Sequence, residues 1–390
     1  MHATSRFLLN LSASLVVIAC GGSDVSQASS DGEVDDTTTT PLDDSGDPLK
    51  TDSGTPPVGD SGKPPTDSTP KPPAVGWLKT SGNAILNSDG TRFHGKGANI
   101  PDQRGCDACL GTPDPKEENR RIDELAAWGA NFIRLGLESD AVKDDVLNNA
   151  GYLKDLQTVV LHAASKNIYV LMSLWIDATI DGSELPTATS NQAWQLIAKT
   201  FADEPHVLFG ITNEPHGASD DAVWKAMNTS TQAIRDAEKS SGSQQHIVVV
   251  QGTQGYARDT SYYITHPITA GGGTNIAYET HPYNPQSDFD KLITTPAKSL
   301  PLIIGEFGPV NVGGSSVSVG GTPAVTVADC LALMTLARKL EVPHLAFTFH
   351  MRCPPNLLVD NSKGGCGLAM TLAPTSDWGV PFKAALSAPW

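Results

Sequence analysis

The sequence predicts an α/β protein whose main domain is a (β/α)8 TIM barrel, and three observations carry that prediction. Eight apolar, strand-like runs follow one another between residues 93 and 349. Helical apolar periodicity fills most of the intervals between them. No Gly-rich phosphate fingerprint opens the first unit, which counts against a doubly wound open sheet. Strands separated by helices pair in parallel, and eight such units suffice to close a ring whose active site lies at the C-terminal strand ends.

Other segments precede the barrel. Met1 to Arg6 carries a positive charge, and residues 7–19 are apolar but too short to span a bilayer comfortably. The stretch closes on Val17-Ile18-Ala19-Cys20-Gly21, which resembles a bacterial lipobox. That resemblance implies a signal peptide over residues 1–19, cleavage before Cys20 and a lipid on Cys20; an ordinary signal peptide with an incidental cysteine is the alternative. The expectation is an exported protein held at the cell envelope, touching membrane only through that lipid. Residues 20–75 follow as a linker of Asp, Thr, Ser, Gly and Pro, with Asp44-Ser45-Gly46, Asp52-Ser53-Gly54 and Asp60-Ser61-Gly62 repeating every eight residues. Burial cannot offset ordering entropy in such a segment, so a disordered, self-repelling spacer is expected; calcium binding by the Asp repeats is a weaker reading.

The barrel domain takes up residues 76–390. Gly76 to Arg92 reads as a hairpin turning at Asn87-Ser88-Asp89-Gly90. The eight runs are Phe93–Ile100, Asn131–Leu137, Ile168–Trp175, His206–Thr212, His246–Gly252, Asn275–Tyr283, Leu300–Gly308 and His344–Phe349. Helical patterns cover Glu117–Trp128, Leu153–Lys166, Asp220–Lys239 and Val327–Leu340, while the stretch between the fifth and sixth runs has no clear period. Trp128, Trp194 and Trp224 fall on helical patterns and read as packing residues.

Charge and cysteines limit the function. Of the net charge of −16, half comes from residues 21–75, with eleven Asp/Glu against three Lys. No basic patch exists for a nucleic acid to bind. Apart from Cys20, five cysteines remain. Cys353 and Cys366 flank a Gly/Pro-containing loop and are expected to pair. Cys106 and Cys109 form a C-x-x-C in a loop-like stretch, read as a small structural bridge, with redox work or metal binding as alternatives. Cys330 is left over in an apolar helical pattern as a buried free thiol. The histidines are scattered without paired ligand spacing, so neither a metal site nor a cofactor is expected.

The polar residues just past the apolar runs carry the chemistry. Asn213-Glu214-Pro215-His216 follows the fourth run and Gly305-Glu306-Phe307-Gly308 the seventh. Glycoside cleavage needs one carboxyl that donates a proton and one that stays ionised, flanking a single bond. Taken alone, two glutamates in this setting are as compatible with solvated loop residues as with catalysis.

Their company is more specific. Ile211-Thr212-Asn213-Glu214-Pro215-His216 and Ile304-Gly305-Glu306-Phe307-Gly308 resemble the acid/base and nucleophile signatures of glycoside hydrolase family 5, the cellulase family. Gly95-Lys96-Gly97-Ala98-Asn99, Asn131-Phe132-Ile133-Arg134 and Glu279-Thr280-His281-Pro282-Tyr283 are similar to its first-, second- and sixth-strand motifs, in order over roughly residues 77–350. The resemblance implies a retaining mechanism, with Glu214 as acid/base and Glu306 as nucleophile. It implies supporting roles too: Arg134 keeping Glu306 ionised, Tyr283 donating to the same carboxylate, Asn213 bonding the sugar 2-hydroxyl, and His281 orienting Glu214 or the substrate. Two positions depart from the family. Leu174-Trp175 stands where the third strand usually ends in histidine, and Phe347 stands where the eighth usually offers a tryptophan platform. Trp175 is a candidate replacement platform or a core residue. The implied partner is a polysaccharide, taken by a monomer: β-1,4-glucan first, β-mannan or another β-glucan next. A non-catalytic glycan-binding protein on the same barrel is the reading of a different class.

Overall fold

The computed structural model describes residues 75–101, 115–138, 146–175, 185–252, 256–311, 323–360 and 371–390. The expected leader, the linker and the Cys106–Cys109 bridge lie outside the described residues. Eight strands, β3 (Lys96–Pro101), β4 (Phe132–Glu138), β5 (Tyr169–Trp175), β6 (Val207–Gly210), β7 (Val248–Gln251), β8 (Ile276–Thr280), β9 (Leu302–Ile304) and β12 (His344–Ala346), close into one parallel ring in that order. The seam sets His344 opposite Lys96, Leu345 opposite Gly97 and Ala346 opposite Ala98. Each strand lies within one of the eight expected runs, or within one residue of it.

Successive strand residues face opposite sides, and the ring uses this strictly. Outward residues such as Ile133, Val170, Val248 and Ile304 join the large core between strands and helices. Inward residues Phe132, Leu171, Leu208, Val249, Ala277, Ile303 and Leu345 fill the barrel's lower interior, as layered side chains do in this architecture.

The helices are α1 (Pro115–Ala127), α2 (Ala150–Ser165), α3 (Ala188–Thr200), α4 (Asp220–Ser241), α5 (Val327–Leu340) and α6 (Gly379–Ser387). Local sequence fixes their starts. Thr187 with Ser190 makes a capping box on α3, Thr326 with Asp329 another on α5, and Ser219 caps α4. Trp128, Trp194 and Cys330 are buried, the last as a free thiol. Between β7 and β8 two 3-10 turns, Ser261–Ile264 and Ala270–Gly273, replace a helix. The run Gly271-Gly272-Gly273 takes positive φ throughout, which an α-helix excludes.

The N-terminal hairpin differs from the expectation in one respect. Strands β1 (Lys79–Ser81) and β2 (Ala84–Leu86) turn at Gly82-Asn83, with Gly82 at φ 56°. The expected turn at Asn87–Gly90 is a second one, returning the chain so that Arg92 bridges Leu86. The strands are so short that one turn signal masked the other. Leu78, Ile85 and Phe93 from this segment join the lower interior of the ring and close its floor.

Two further strands, β10 (Val310–Asn311) and β11 (Pro323–Val325), form an antiparallel pair outside the ring. Cys353 is disulfide-bonded; its expected partner Cys366 lies outside the described residues. Among the described residues no helix is long and apolar enough to cross a membrane.

Candidate active site

On four strands the inward position two residues above the apolar floor is polar. Phe132 is followed by Arg134, Leu171 by Ser173, Val249 by Gln251 and Ala277 by Glu279, all four buried. This ring of polar side chains supports the groups at the strand ends.

Arg134 is its hub and is fully buried. Its Nη1 donates to Glu306 Oε1 at 2.7 Å and Asn99 Oδ1 at 3.0 Å. Its Nη2 donates to Ser173 Oγ and Asn213 Oδ1, both at 2.8 Å. The Nε forms an ion pair with Glu279 Oε1 at 2.7 Å. Tyr283 donates its hydroxyl to the second oxygen of Glu306 at 2.9 Å. Glu306 is thus held at both oxygens.

Glu214 stands across from it, past β6, in left-handed backbone at φ 49°. A non-glycine residue there carries strain on the order of 1–3 kcal/mol. Its N–H donates to the Gln251 side-chain oxygen, which helps hold that conformation. His281 Nδ1 lies 2.9 Å from Glu214 Oε1 and 3.8 Å from Glu306 Oε1, while its Nε2 lies 3.0 Å from Glu279 Oε1. One donor atom from each of Glu214, His281 and Glu306 lies within 4.8 Å of the others. A metal ion would need lone pairs there, yet Arg134, Tyr283 and the His281 hydrogen bonds already engage them. We assign no metal ligand in this set.

The charges follow from burial and pairing. Burial works against ionised Glu279, but Arg134 and His281 overcome it and hold the carboxyl down at about 2. Burial likewise opposes charge on His281, yet Glu306, Glu214 and Glu279 lift it to about 9. For Glu306, burial is the largest influence and raises the carboxyl; His281 and Arg134 pull it down, Glu214 pushes it up, and it rests above the ordinary glutamate range. The expected Arg134 contact is present and favours the ionised form, but desolvation is the larger influence on Glu306. Burial and the nearby carboxylates also push the Tyr283 phenol well up, so it stays protonated as a donor.

The remaining expected residues sit at the same mouth. Phe347 directly follows β12 and is half-buried; its N–H donates to Phe307 O at 2.8 Å and its carbonyl accepts from Trp378 Nε1 at 3.2 Å. Trp175 ends β5 opposite Glu138, and its side chain is outside the described residues. His216 Nδ1 donates to the Glu214 carbonyl at 3.0 Å, with its ring 4.3 Å from that of Tyr256.

Sequence reasoning did not assign Asn99, Ser173, Gln251 and Glu279 to the site. Their signal was available: each is a polar residue at an inward strand position just above an apolar one. Gly305 belongs with them, since a Cβ there would lie 1.8 Å from Glu279 Oε1. Its lack of a side chain admits the Glu279 carboxylate.

Residues 86–350 match the family model described as Cellulase (glycosyl hydrolase family 5). Endoglucanase B of Paenibacillus lautus is 25% identical over 255 residues, which cover 54% of this chain and 44% of that protein. Endoglucanase CelA of Streptomyces lividans is 24% identical over 242 residues, 58% of this chain and 48% of that protein. The chain therefore spans about half the length of the curated relatives it matches. Among solved structures, a β-glucanase from Saccharophagus degradans in complex with cellotetraose superposes with a TM-score of 0.61 at 21% identity, over 80% of this chain and 92% of that one. The catalytic domain of a mannanase from Streptomyces sp. SirexAA-E superposes at 0.56 and 18% identity, over 74% and 86%. At such identities these likenesses speak for the barrel fold.

Proposed function

The chain belongs to glycosyl hydrolase family 5, the cellulase family, and from that premise we propose that it is a retaining endo-β-1,4-glucanase working through Glu214 and Glu306. The observation that carries the proposal is the carboxylate pair. One oxygen of Glu214 lies within 4.8 Å of one of Glu306, which fits the roughly 5 Å of double displacement better than the spacing of about 6.5–9.5 Å at which inverting enzymes set their carboxyls around a water.

In the first step Glu306 attacks the anomeric carbon as Glu214 gives its proton to the departing glycosidic oxygen. In the second, Glu214 takes a proton from water, which displaces Glu306 from the sugar. Arg134 and Tyr283 aim the Glu306 oxygens, while His281 aims Glu214. Because Asn213 accepts from Arg134 through Oδ1, its amide N–H2 is the end left for a substrate hydroxyl. Phe347 offers an apolar ring to a pyranose face, with less area than an indole. The endoglucanase names of the curated relatives support glucan over mannan.

The deciding experiment is incubation with fluorinated mechanism-based glycosides in gluco and manno forms, followed by peptide mapping. A gluco label on Glu306 is expected, together with reducing-sugar release from carboxymethylcellulose that Glu214→Gln lowers by roughly 10²-fold or more. A label on another residue overturns the assignment. Release from mannan alone moves the substrate class. No release from carboxymethylcellulose, glucomannan or xyloglucan leaves the glycan-binding reading.

We also propose that the protein is exported and lipid-anchored through Cys20. The support is the charged start, the apolar stretch and the Val17-Ile18-Ala19-Cys20 sequence. Expression with labelled palmitate tests it: wild type should carry label in the membrane fraction and Cys20→Ala should carry none.

A further inference from the structure

The buried carboxylate of Glu279 touches no position at which a glycosidic bond would sit, yet it joins both halves of the site. Its Oε1 meets Arg134 Nε at 2.7 Å and His281 Nε2 at 3.0 Å. Arg134 goes on to Glu306, and His281 goes on to Glu214. Gly305, immediately before Glu306, is the residue whose missing side chain admits it. A carboxylate at zero exposure is rare unless paired, and nothing in the packing of β8 requires one.

We propose that Glu279 is a positioning residue of the reaction, keeping both ring nitrogens of His281 protonated so that Nδ1–H always points at Glu214. The inference rests on the glycosidase reading above. Its logic is one of hydrogen-bond inventory. A neutral imidazole has one donor and one acceptor nitrogen. Were Nδ1 the acceptor, it would draw the Glu214 proton toward itself and away from the leaving oxygen. With a carboxylate on each side, both nitrogens must donate, and Glu214 can release and regain its proton without the ring changing tautomer.

The groups facing His281 among the described residues support that state. Glu214 approaches from the end of β6 and Glu306 from the end of β9, while Glu279 lies on β8, two residues before His281. Arg134 on β4 opposes the charge, but it is itself spent on Glu279 and Glu306. Gln251 on β7 is neutral; its amide N–H2, 3.3 Å from His281 Nε2, is a donor and serves Glu279, not the ring, so Nε2–H is left to Glu279. The position at about 9 for His281 agrees with the geometry.

The test is a nitrogen-15 NMR titration of the histidine rings in the full-length protein, with His281 assigned by its loss in His281→Gln. Wild type should show both ring nitrogens protonated at neutral pH. Glu279→Gln should lose that state at lower pH. The same variant should lower kcat on the order of 10²-fold with KM little changed, and should move the alkaline limb of kcat down by roughly one unit. Glu279→Asp, which keeps the charge, should restore most of the limb. A singly protonated His281 in wild type at neutral pH overturns the proposal, as does a folded Glu279→Gln with unchanged titration and pH profile. If Glu279→Gln fails to fold, the wild-type titration still decides. If the protein hydrolyses no glycan, the enzyme reading fails, while the ring titration answers for Glu279 separately.

Discussion

Tyr283 and Arg134 both hold Glu306, but they differ in what their removal leaves behind. Arg134→Leu would strand the Glu279 charge in the interior, a loss of about 3–5 kcal/mol for a broken buried pair. Tyr283→Phe removes one hydrogen bond and little else, a change of about 1 kcal/mol, so it is the cleaner probe. The Tyr283 bond favours ionised Glu306, and its loss should move the acid limb of kcat/KM to higher pH. The wild-type limb should already lie above pH 4.5, because Glu306 rests above that value. The carboxyls share a field, so the limb belongs to the pair. An unmoved limb in Tyr283→Phe would mean the hydroxyl does not bear on Glu306. Glu214, Glu306, Arg134, Asn213, His281 and Tyr283 were readable in the sequence because each lies in a motif at a strand end or in an apolar strand. Glu279, although it opens a quoted motif, and Gln251 received no role because each lies within an apolar run, where the sequence does not say which face a polar side chain takes. The balance on Glu306 escaped because desolvation depends on packing that residue types alone do not give.

At the scale of elements, the runs and periods located the strands and most helices, since burial on one face or both leaves a direct imprint on the order of residues. What they did not locate depends on backbone conformation. The Gly82 turn and the Gly271–Gly273 segment are positive-φ structures set by few residues. The α5 helix follows the loop that carries Glu306, and its start is set by Thr326 and Asp329 bonding reciprocally. Thr326→Ala should remove about 1 kcal/mol and lower Tm by about 2–4 °C, measured by calorimetry, with kcat unchanged. A fall in kcat at constant KM would show that the helix start also steers the Glu306 loop.

For the whole molecule, the buried titratable groups shape stability against pH. Glu279 is held at about 2 against an ordinary 4.5, so its contribution is present above 4.5 and lost as pH falls toward 2. Burial pushes His344 and His350 down to about 3, so stability also drains between 6.5 and 3 as the unfolded imidazoles take up protons. His281, at about 9, acts oppositely: its contribution is full below 6.5 and lost as pH rises through 9. Glu306, raised above 4.5, opposes the two buried histidines on the acid side but is outnumbered. Thermal melting from pH 3 to 9 should therefore peak near 6.5 and decline on both sides. A flat or rising curve between 6.5 and 9 would rule out the charged His281.

The fit between Gly305 and Glu279 implies a genetic interaction with a definite sign. Gly305→Ala alone puts a methyl group against a carboxylate pinned by Arg134 and His281, so it should damage the protein. Glu279→Ala alone should damage it by another route. Combined, the two small residues occupy space that the carboxylate has vacated, and the second substitution should harm less than it does on its own. In stability measurements the double variant should fall short of the sum of the singles, as contacting residues do. A selection that starts from Gly305→Ala should find its suppressors on the neighbouring strand.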